Sequence, residues 1–264
     1  MPELPDVEMQ RRYLAETSLH KRIKRVKILD DYVIKGVSSH EFKYRLEGAK
    51  FKQVNRCGKF LEVSTDSQYD LAFHFGMTGH LKYVPTHSAY EKYARVIFTF
   101  EGNRDLRYLA IRKLGGLYLV PRGEFTQIDT IRKMGPEPLS PEFDFSTFKH
   151  MIEGRSAMLK SLLLDQSFVA GIGNVYGDEI LFQAGIRPDR RISELNEEEL
   201  TRLFNETKRV LREAIQRKAR LEGLEDSFLA LHRGEGENCP RCGSRIQKMK
   251  VSSRNSYHCE RCQR

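Results

Sequence analysis

The spacing of apolar residues changes once along the chain and divides it into two predicted regions. Across residues 23–120, short runs alternate apolar and polar positions and are separated by turn residues such as those at 101–103. This period of two predicts β-strands, and strands at such spacing without intervening helices favour a β-sandwich or a barrel. The clearest strand-like runs are residues 50–54, 59–63, 71–75 and 95–100. A short helix is predicted before them, from about Pro5 to Thr17.

A proline-rich segment at residues 135–141 is the best candidate for a linker, because its three prolines exclude regular structure. After this segment the apolar period becomes helical. Asn196 and Glu199 form a predicted capping pair for one helix, and Gly223 predicts its end. The first helical stripe consists of Phe148, Met151, Ile152, Leu159, Leu162 and Leu163, and the second of Leu200, Leu203, Phe204, Val210, Leu211, Ala214 and Ile215.

The charge balance of the 264 residues favours a polyanionic partner. There are 45 basic and 36 acidic residues, which give a net charge of +9. Binding of cationic side chains to phosphates releases counterions, although many basic proteins bind no nucleic acid. No apolar run is long enough to cross a bilayer and the first residues do not resemble a secretion signal, so an intracellular location is expected. The last 26 residues contain one acid, Glu260, and these basic residues: Arg241, Arg245, Lys248, Lys250, Arg254, Arg261 and Arg264.

Four of the five cysteines form two Cys-x-x-Cys pairs near residue 264. Cys239 and Cys242 make one pair, and Cys259 and Cys262 make the other, with 16 residues between the pairs. Two such pairs supply four thiolates for tetrahedral Zn²⁺, which predicts one structural ion with no open coordination position. Cys57 lies outside this cluster and is predicted to be a packing residue.

Pro2 follows Met1 directly, which gives it a chemistry that an internal proline lacks. Removal of Met1 would expose a secondary amine that can attack a sugar C1′ and form an iminium. Glu3 and Asp6 are close enough in sequence to donate or accept protons. On these residues alone, a proline-rich leader before a helix is the favoured interpretation.

Two further segments suggest contacts with nucleic acid. Residues 164–174 include Gly171 and Gly173 just before a helix predicted to begin near Asn174, and helix N-termini bind phosphate. A packing turn remains the alternative there. Met77 is in a predicted loop, where an apolar side chain can fill the gap left by a flipped base. Taken alone, Met77 is better explained as a core residue.

In their order along the chain, these motifs resemble the formamidopyrimidine-DNA glycosylase and endonuclease VIII family of bifunctional repair glycosylases. The resemblance implies an α+β fold with an N-terminal β-sandwich and its leading helix, a helix–two-turn–helix domain and a zinc-finger β-hairpin. The implied organisation is a catalytic domain at 1–132, a linker at 133–142, a helical DNA-binding domain at 143–234 and a zinc finger at 235–264. The resemblance is carried by residues 2–5, 58–59, 74–79, 135–139, 162–166 and 171–174, and by the zinc finger with Arg254.

The resemblance also implies roles for individual residues. Pro2 attacks C1′ of the damaged nucleotide, and Glu3 handles the proton transfers. Lys59 and Arg254 hold the flanking phosphates during β- and δ-elimination. The implied partner is double-stranded DNA that contains a damaged base or an abasic site, bound by a monomer. Further DNA contacts are implied for Asn174, Arg155 and Lys160, and filling of the gap in the duplex for Met77, Arg112 and Leu114.

Departures from the family pattern leave the preferred lesion open. Asp6 replaces the usual Glu, and Leu114 and Lys113 replace the Phe and Arg of the formamidopyrimidine branch. The stretch 220–238 is shorter than the loop that covers a flipped 8-oxoguanine in that branch, and in this it is similar to endonuclease VIII. Substrates are therefore expected among formamidopyrimidines and 8-oxoguanine or among oxidised pyrimidines.

Two other classes of protein fit part of the pattern. One is a non-catalytic zinc-finger DNA-binding protein, and the other is an N-terminal-proline tautomerase. The pair Pro2 and Glu3 favours an enzyme over a simple binder, while the basic zinc module is not required by a tautomerase.

Overall fold

A computed structural model describes residues 2–264, and their contacts divide them into two compact units. One unit contains Pro2 and residues 6–133, and the other contains residues 3–5 and 134–264. The first is rich in strands and the second in helices, so the predicted α+β class is confirmed.

The strand-rich unit contains two sheets and three helices. The helices are α1 (Leu4–Ser18), α2 (Ser39–Leu46) and α3 (Asp129–Arg132). The strands are β1 (Ile23–Ile28), β2 (Ile34–Lys35), β3 (Phe51–Cys57), β4 (Phe60–Thr65), β5 (Tyr69–His74), β6 (His80–Pro85), β7 (Ala94–Phe100), β8 (Arg104–Leu109) and β9 (Gly116–Pro121). One sheet has the order β1-β7-β8-β6 and the other has the order β2-β9-β5-β4-β3.

Aromatic side chains from both sheets form the core of this unit. Phe73 of β5 and Phe98 of β7 lie on different sheets, and their ring centroids are 6.1 Å apart. Val7 and Leu14 of α1 are fully buried in the same cluster. Because each sheet buries one face against the other, the predicted sandwich with a leading helix is confirmed.

The helix-rich unit is built from four helices that share one apolar core. They are α4 (Phe145–Ile152), α5 (Leu159–Leu164), α6 (Asn174–Ala184) and α7 (Glu197–Gln216). Helix α6 begins at the predicted residue and carries Ile180 and Leu181, both fully buried. The carbonyls of Gly185 and Ile186, just after α6, accept hydrogen bonds from Arg264 N (3.0 Å) and Gln263 Nε2 (2.8 Å).

Two details of the helical prediction need correction. The first apolar stripe belongs to two helices, because Gly154 adopts a left-handed φ of 70° between α4 and α5. The second stripe is α7, and the predicted capping pair at its start is confirmed by reciprocal hydrogen bonds of Asn196 and Glu199. However, α7 ends at Gln216 and not near Gly223, because the backbone at residues 218–219 already takes positive φ values.

The cysteine pairs flank a two-stranded antiparallel hairpin. Its strands are β10 (Gln247–Val251) and β11 (Arg254–His258), which confirms the predicted zinc-finger hairpin. Phe182, Leu229 and Ile246 pack around the cysteines. Within the described part of the chain, every helix is too short or too polar to span a membrane.

Candidate active site and nucleic-acid interface

The carboxylate of Glu3 is fixed at the N-terminus of α6. Its oxygens accept hydrogen bonds from the backbone N–H groups of Gly173 (2.8 Å), Val175 (2.9 Å) and Tyr176 (3.1 Å). Glu3 is only 2% exposed. Free N–H groups at a helix start attract negative charge, so this helix holds a carboxylate that is otherwise costly to bury.

Backbone geometry explains why glycines precede α6. Leu4 N donates to Gly171 O at 2.9 Å, which aligns residues 3–5 with this segment. A Cβ at Gly173 would lie 2.3 Å from Cδ of Glu3, so no larger residue fits there without moving the carboxylate. The side chain of Gln166 braces the turn, because it accepts from Gly171 N (2.9 Å) and donates to Ile172 O (2.8 Å). The alternative of a simple packing turn does not account for the Glu3 contacts.

Pro2 immediately precedes this anchored residue and is partly exposed. The backbone therefore ties the ring nitrogen of Pro2 to a rigidly held acid one residue away. The predicted removal of Met1 concerns a position outside the described residues.

Lys59 stands at the tip of the tight β3–β4 turn, next to the partly buried His74. Gly58 takes a φ of 55° in this two-residue turn, and Cys57 and Phe60 pair across it. The ring of His74 stacks on Phe60 at 4.6 Å between centroids. Burial, together with the positive charge of Lys59, lowers the pKa of His74 to about 4, so this ring is neutral at physiological pH.

Met77, Arg112 and Leu114 are all exposed, on two loops of the strand-rich unit. Leu114 is 56% exposed and Met77 is 37% exposed, which excludes the core alternative for Met77. Thr78 links the loops, because its Oγ1 accepts from the backbone N–H groups of Ile111 and Arg112, both at 3.1 Å. Large exposed apolar side chains on braced loops are suited to entering a base stack.

Lys113 has a structural role that the sequence did not reveal. It takes a positive φ of 50°, and its Nζ lies 2.5 Å from a carboxylate oxygen of Asp30. Arg95 contacts the same carboxylate at 3.2 Å. Partial burial opposes ionisation of Asp30, but these two cations, Lys113 foremost, hold its pKa below the usual range. The ion pair fixes the backbone between Arg112 and Leu114.

Asn174 and Arg254 come from different parts of the helix-rich unit and are joined through one residue. Asn174 Nδ2 donates to the carbonyl of Asn255 at 3.1 Å, and Arg254 is the adjacent residue at the start of β11. Arg254 is exposed. Asn174 Oδ1 is buried and has no hydrogen-bond partner among the described residues. Arg155, a third predicted DNA contact, is exposed in the α4–α5 turn.

Lys160 is placed differently from the predicted DNA contact. It is 1% exposed, and its Nζ donates to Asp178 Oδ1 (2.6 Å) and to Asn174 O (2.7 Å). Burial lowers its pKa even though Asp178 is adjacent. Asp178 also accepts from Arg233 Nε at 2.8 Å and from the Ser256 hydroxyl. Lys160 is therefore a buried brace between α5 and α6, and not a surface contact.

Asp178 is the central residue of this network, although it is not among the site residues predicted from the sequence. It lies three residues before the core residue Leu181 on α6, so the helical period places an acid on a buried face. That unusual position is the signal that could have identified it.

The four cysteines meet the geometric requirement for one structural zinc ion. Their sulfurs all lie within 4.8 Å of one another. The distance is 3.8 Å between Cys239 and Cys262 and 3.5 Å between Cys242 and Cys259. Four thiolates about 2.3 Å from Zn²⁺ in a tetrahedron are separated by about 3.8 Å, so the residues fit the ion.

Three family models match the chain in the order of its structural parts. They describe the formamidopyrimidine-DNA glycosylase N-terminal domain (residues 1–117), the H2TH domain of that glycosylase (residues 134–224) and a zinc finger found in FPG and IleRS (residues 236–264).

Similar proteins agree over the whole length. The formamidopyrimidine-DNA glycosylase of Pelotomaculum thermopropionicum is 35% identical and covers 100% of this chain and 99% of its own. Lactococcus lactis Fpg with DNA containing N7-benzyl-Fapy-dG superimposes with a TM-score of 0.89 at 29% identity, over 99% of each chain. A complex of the same enzyme with DNA containing an oxidised pyrimidine has the same TM-score, identity and coverage. The chain therefore belongs to the formamidopyrimidine-DNA glycosylase family of base-excision repair enzymes, which are DNA glycosylases with lyase activity at abasic sites.

Proposed function

We propose that this chain removes damaged bases from double-stranded DNA by attack of the Pro2 nitrogen on C1′, and then cleaves the strand through the same covalent intermediate. The observation that carries the proposal is the Glu3 carboxylate, held by three backbone N–H groups directly beside Pro2 in the chain. Fixed geometry of this kind contributes to catalysis because no reorganisation is needed during the reaction. The expected intracellular location agrees with such a substrate.

The chemistry requires a free amine and a proton-transfer group. The nitrogen lone pair forms a bond to C1′ while the N-glycosidic bond breaks, and the base departs with that electron pair and takes up a proton. The attached nitrogen then loses its proton and the C1′–O4′ bond breaks, so that the nitrogen lone pair forms an iminium while O4′ takes up a proton. This iminium makes a C2′ proton acidic. Loss of this proton expels the 3′ phosphate by β-elimination, and a second elimination releases the 5′ phosphate. Glu3 is proposed to shuttle protons in these steps, while Asp6 has no assigned role.

Phosphate contacts are proposed for residues on both units. Lys59 and Arg254 supply cations, and Arg155 is an exposed cation in the α4–α5 turn. Asn174 is proposed to contact phosphate through its side-chain amide, because the backbone N–H groups of Gly173, Val175 and Tyr176 at the start of α6 already donate to Glu3. Lys160 would support Asn174 through the hydrogen bond to its carbonyl.

The braced loops are proposed to occupy the gap left when the damaged nucleotide turns out of the duplex. Leu114 and Met77 would act as apolar wedges and Arg112 as a polar contact. Insertion costs unstacking energy, which is smallest at a damaged or abasic site. This cost difference would contribute to selectivity for lesions.

Formamidopyrimidines and oxidised pyrimidines are the proposed preferred lesions, with 8-oxoguanine a poorer substrate. Leu224, Phe228, Leu229 and Ala230 are all buried, so the segment after α7 is largely committed to packing. Little chain is therefore left to form a cover over a flipped 8-oxoguanine, such as the family resemblance gives for the formamidopyrimidine branch. Complexes of the L. lactis relative with Fapy-dG and with an oxidised pyrimidine are compatible with this preference.

Reductive trapping tests the covalent mechanism. The full-length zinc-loaded protein would be incubated with an abasic-site duplex and borohydride, and the adduct mapped by mass spectrometry. We expect the adduct on Pro2 and at least about 100-fold slower base release for Glu3→Gln, as is typical for loss of a proton-transfer group. Glu16→Gln, an exposed position on α1, is the matched control.

Two outcomes would contradict the proposal. An adduct on a lysine in place of Pro2 would reject the assigned nucleophile. Tight binding of lesion duplexes without base release or trapping would favour a non-catalytic zinc-finger DNA-binding protein. A panel of duplexes with one lesion each, scored for base release and strand scission, tests the lesion order separately.

A further inference from the structure

A cationic pocket lies on the outer face of the four-stranded sheet, at residues without an assigned role in base excision. Its volume is about 500 Å³, within the range of roughly 300–1,000 Å³ typical of ligand sites. It is lined by Lys24, Arg25, Lys27, Glu47, Thr86, Tyr90, Ile97, Thr99 and Asn103. All of these residues belong to the strand-rich unit, and none is among the predicted DNA contacts.

One wall of this outer-face pocket is rigid because a buried guanidinium holds it. Arg107 of β8 is fully buried, and it donates to the carbonyls of Ser88 (2.9 Å) and Ala89 (2.7 Å) and to Glu91 (2.9 Å) in the β6–β7 loop. The Tyr90 ring lies 5.0 Å from the same guanidinium. The loop is thus fixed by several charge-assisted hydrogen bonds, and the wall exists before any ligand binds.

The opposite wall is the edge strand β1, and its exposed side chains are cationic. Arg25 pairs with Thr99 and Lys27 with Ile97 across the β1–β7 ladder, so both side chains share the pocket face. Lys27 Nζ lies 4.6 Å from the centroid of the Tyr90 ring. Glu47 is the one acid in the lining, and its Oε1 already accepts from Val26 N at 2.8 Å.

Thr86 and Thr99 in the pocket lining offer hydrogen-bond acceptors, which favours a ligand that carries hydrogen-bond donors. Thr99 and Thr86 donate their hydroxyl protons to Asp105 Oδ1, at 2.8 and 3.3 Å. With these protons used, the two hydroxyl oxygens can still accept hydrogen bonds from a ligand through their lone pairs. A phosphodiester backbone offers acceptors only, whereas an acidic peptide offers carboxylates for the cations and N–H donors for the threonines.

We infer that this pocket binds an acidic segment of a partner protein. Carboxylates of the segment pair with Arg25, Lys27 and Lys24, its backbone N–H groups reach the threonine hydroxyls, and an apolar side chain rests against Tyr90. Complementary charge would speed the encounter and select the partner. The inference does not depend on the proposed function, because it uses none of the residues assigned to base excision.

A direct binding experiment tests the inference with the full-length, zinc-loaded protein. The probe is a fluorescein-labelled peptide of aspartate, glutamate and glycine with one central phenylalanine, measured by fluorescence anisotropy. Saturable binding is expected, and the double variant Arg25→Glu/Lys27→Glu should weaken it by at least about tenfold. Tyr90→Ala should weaken it without changing the net charge. Lys52→Glu, which reverses an exposed charge on the other sheet, should have an effect of less than about twofold.

Competition separates this pocket from the DNA-binding surface. The peptide should still bind protein that is saturated with an abasic-site duplex, and the double variant should retain wild-type strand cleavage. Displacement of the peptide by the duplex, or equal weakening by Lys52→Glu, would overturn the inference. So would an oligonucleotide of single-stranded DNA that binds the pocket with the same dependence on Arg25 and Lys27, since it would identify a nucleic-acid site. Circular dichroism of each variant shows whether it is folded.

Discussion

Gly173 is the residue on which the position of the Glu3 carboxylate depends most directly. Gly173→Ala would place a methyl group 2.3 Å from Cδ of Glu3, so either the carboxylate or the start of α6 must move. A displacement of about 1 Å is enough to slow catalysis by about 100-fold. We expect single-turnover base release to fall by at least that factor while the protein stays folded.

Gly223→Ala is the matched control for this change. A Cβ at Gly223 meets its nearest neighbour at an ordinary 3.6 Å, so the variant should keep wild-type rates. Retained base release in Gly173→Ala would show that the three N–H contacts do not position the catalytic acid.

Glu179 gives the helix-rich unit a pH-dependent stability. It is fully buried on α6, where it accepts from Ala230 N at 2.6 Å, and burial raises its pKa to about 7. Between the ordinary pKa of 4.5 and about 7, the folded protein holds a proton that the unfolded chain releases, so stability falls as pH rises. Glu179→Gln does not titrate, and should therefore gain on the order of 2 kcal/mol relative to wild type between pH 4.5 and 7.5.

Urea unfolding of both proteins at several pH values measures this difference. For Glu222→Gln, at an exposed position, the free energy of unfolding should depend on pH in the same way as for wild type across this range. A stability difference for Glu179→Gln that does not change with pH would contradict the assignment.

The order of the loop that carries Arg112 and Leu114 depends on the ion pair between Lys113 and Asp30, which is distant in sequence. Asp30→Asn would remove the charge that Lys113 and Arg95 share, and would free the positive-φ backbone at Lys113. We expect affinity for an abasic-site duplex to fall by about 3- to 10-fold, because a mobile loop loses entropy when it inserts. Affinity for undamaged duplex, which needs no insertion, should stay within about twofold.

Fluorescence anisotropy with the two duplexes provides the measurement. Asp31→Asn removes a neighbouring exposed carboxylate and is the control. If the two variants lose equal affinity, net charge and not loop order is responsible.

Elements with a regular period were predictable, whereas contacts between distant residues were not. The strands of the sandwich, the start of α6 and the capped start of α7 follow from local patterns of apolar and capping residues. The break between α4 and α5 was missed, because the apolar stripe continues across Gly154 and conceals it. The early end of α7 was missed because Lys218 and Ala219 rarely adopt the left-handed backbone seen there.

In the candidate site, too, features with a local pattern were predictable and contacts between distant residues were not. The cysteine spacing alone predicted the zinc cluster, since its ligands are local pairs. The anchoring of Glu3 on α6 joins residues about 170 positions apart and has no local signature. The DNA contact predicted for Lys160 came from the family resemblance, and no local pattern indicates its buried pairing with Asp178. A lysine is seldom buried unless it is paired.

The zinc cluster and the sandwich have separate apolar cores, so disruption of the zinc cluster should leave the sandwich folded. The cysteines pack with Phe182, Leu229 and Ile246, and the sandwich has its own cluster of aromatic residues. Cys239→Ser should open β10–β11 to hydrogen exchange and weaken binding of lesion duplex by at least about tenfold, since the hairpin carries Arg254. Exchange in the strands of the sandwich should be unchanged.

Hydrogen exchange read by mass spectrometry reports both regions in one experiment. Cys57→Ser, a thiol in the sandwich unit, is the matched control and should leave the hairpin protected. Wild-type DNA affinity in Cys239→Ser would show that the finger does not contribute to binding.

The length of helix α6 sets the distance between the two chain segments that are hydrogen-bonded to its ends. Glu3 caps its first turn, and residues 263–264 hold the carbonyls just beyond its last turn. Its 11 residues set these attachments about 16 Å apart along the axis, and each residue adds about 100° of rotation. Insertion or deletion of one residue would rotate one attachment around the helix axis, away from the segment to which it bonds. During evolution this helix should therefore keep its length.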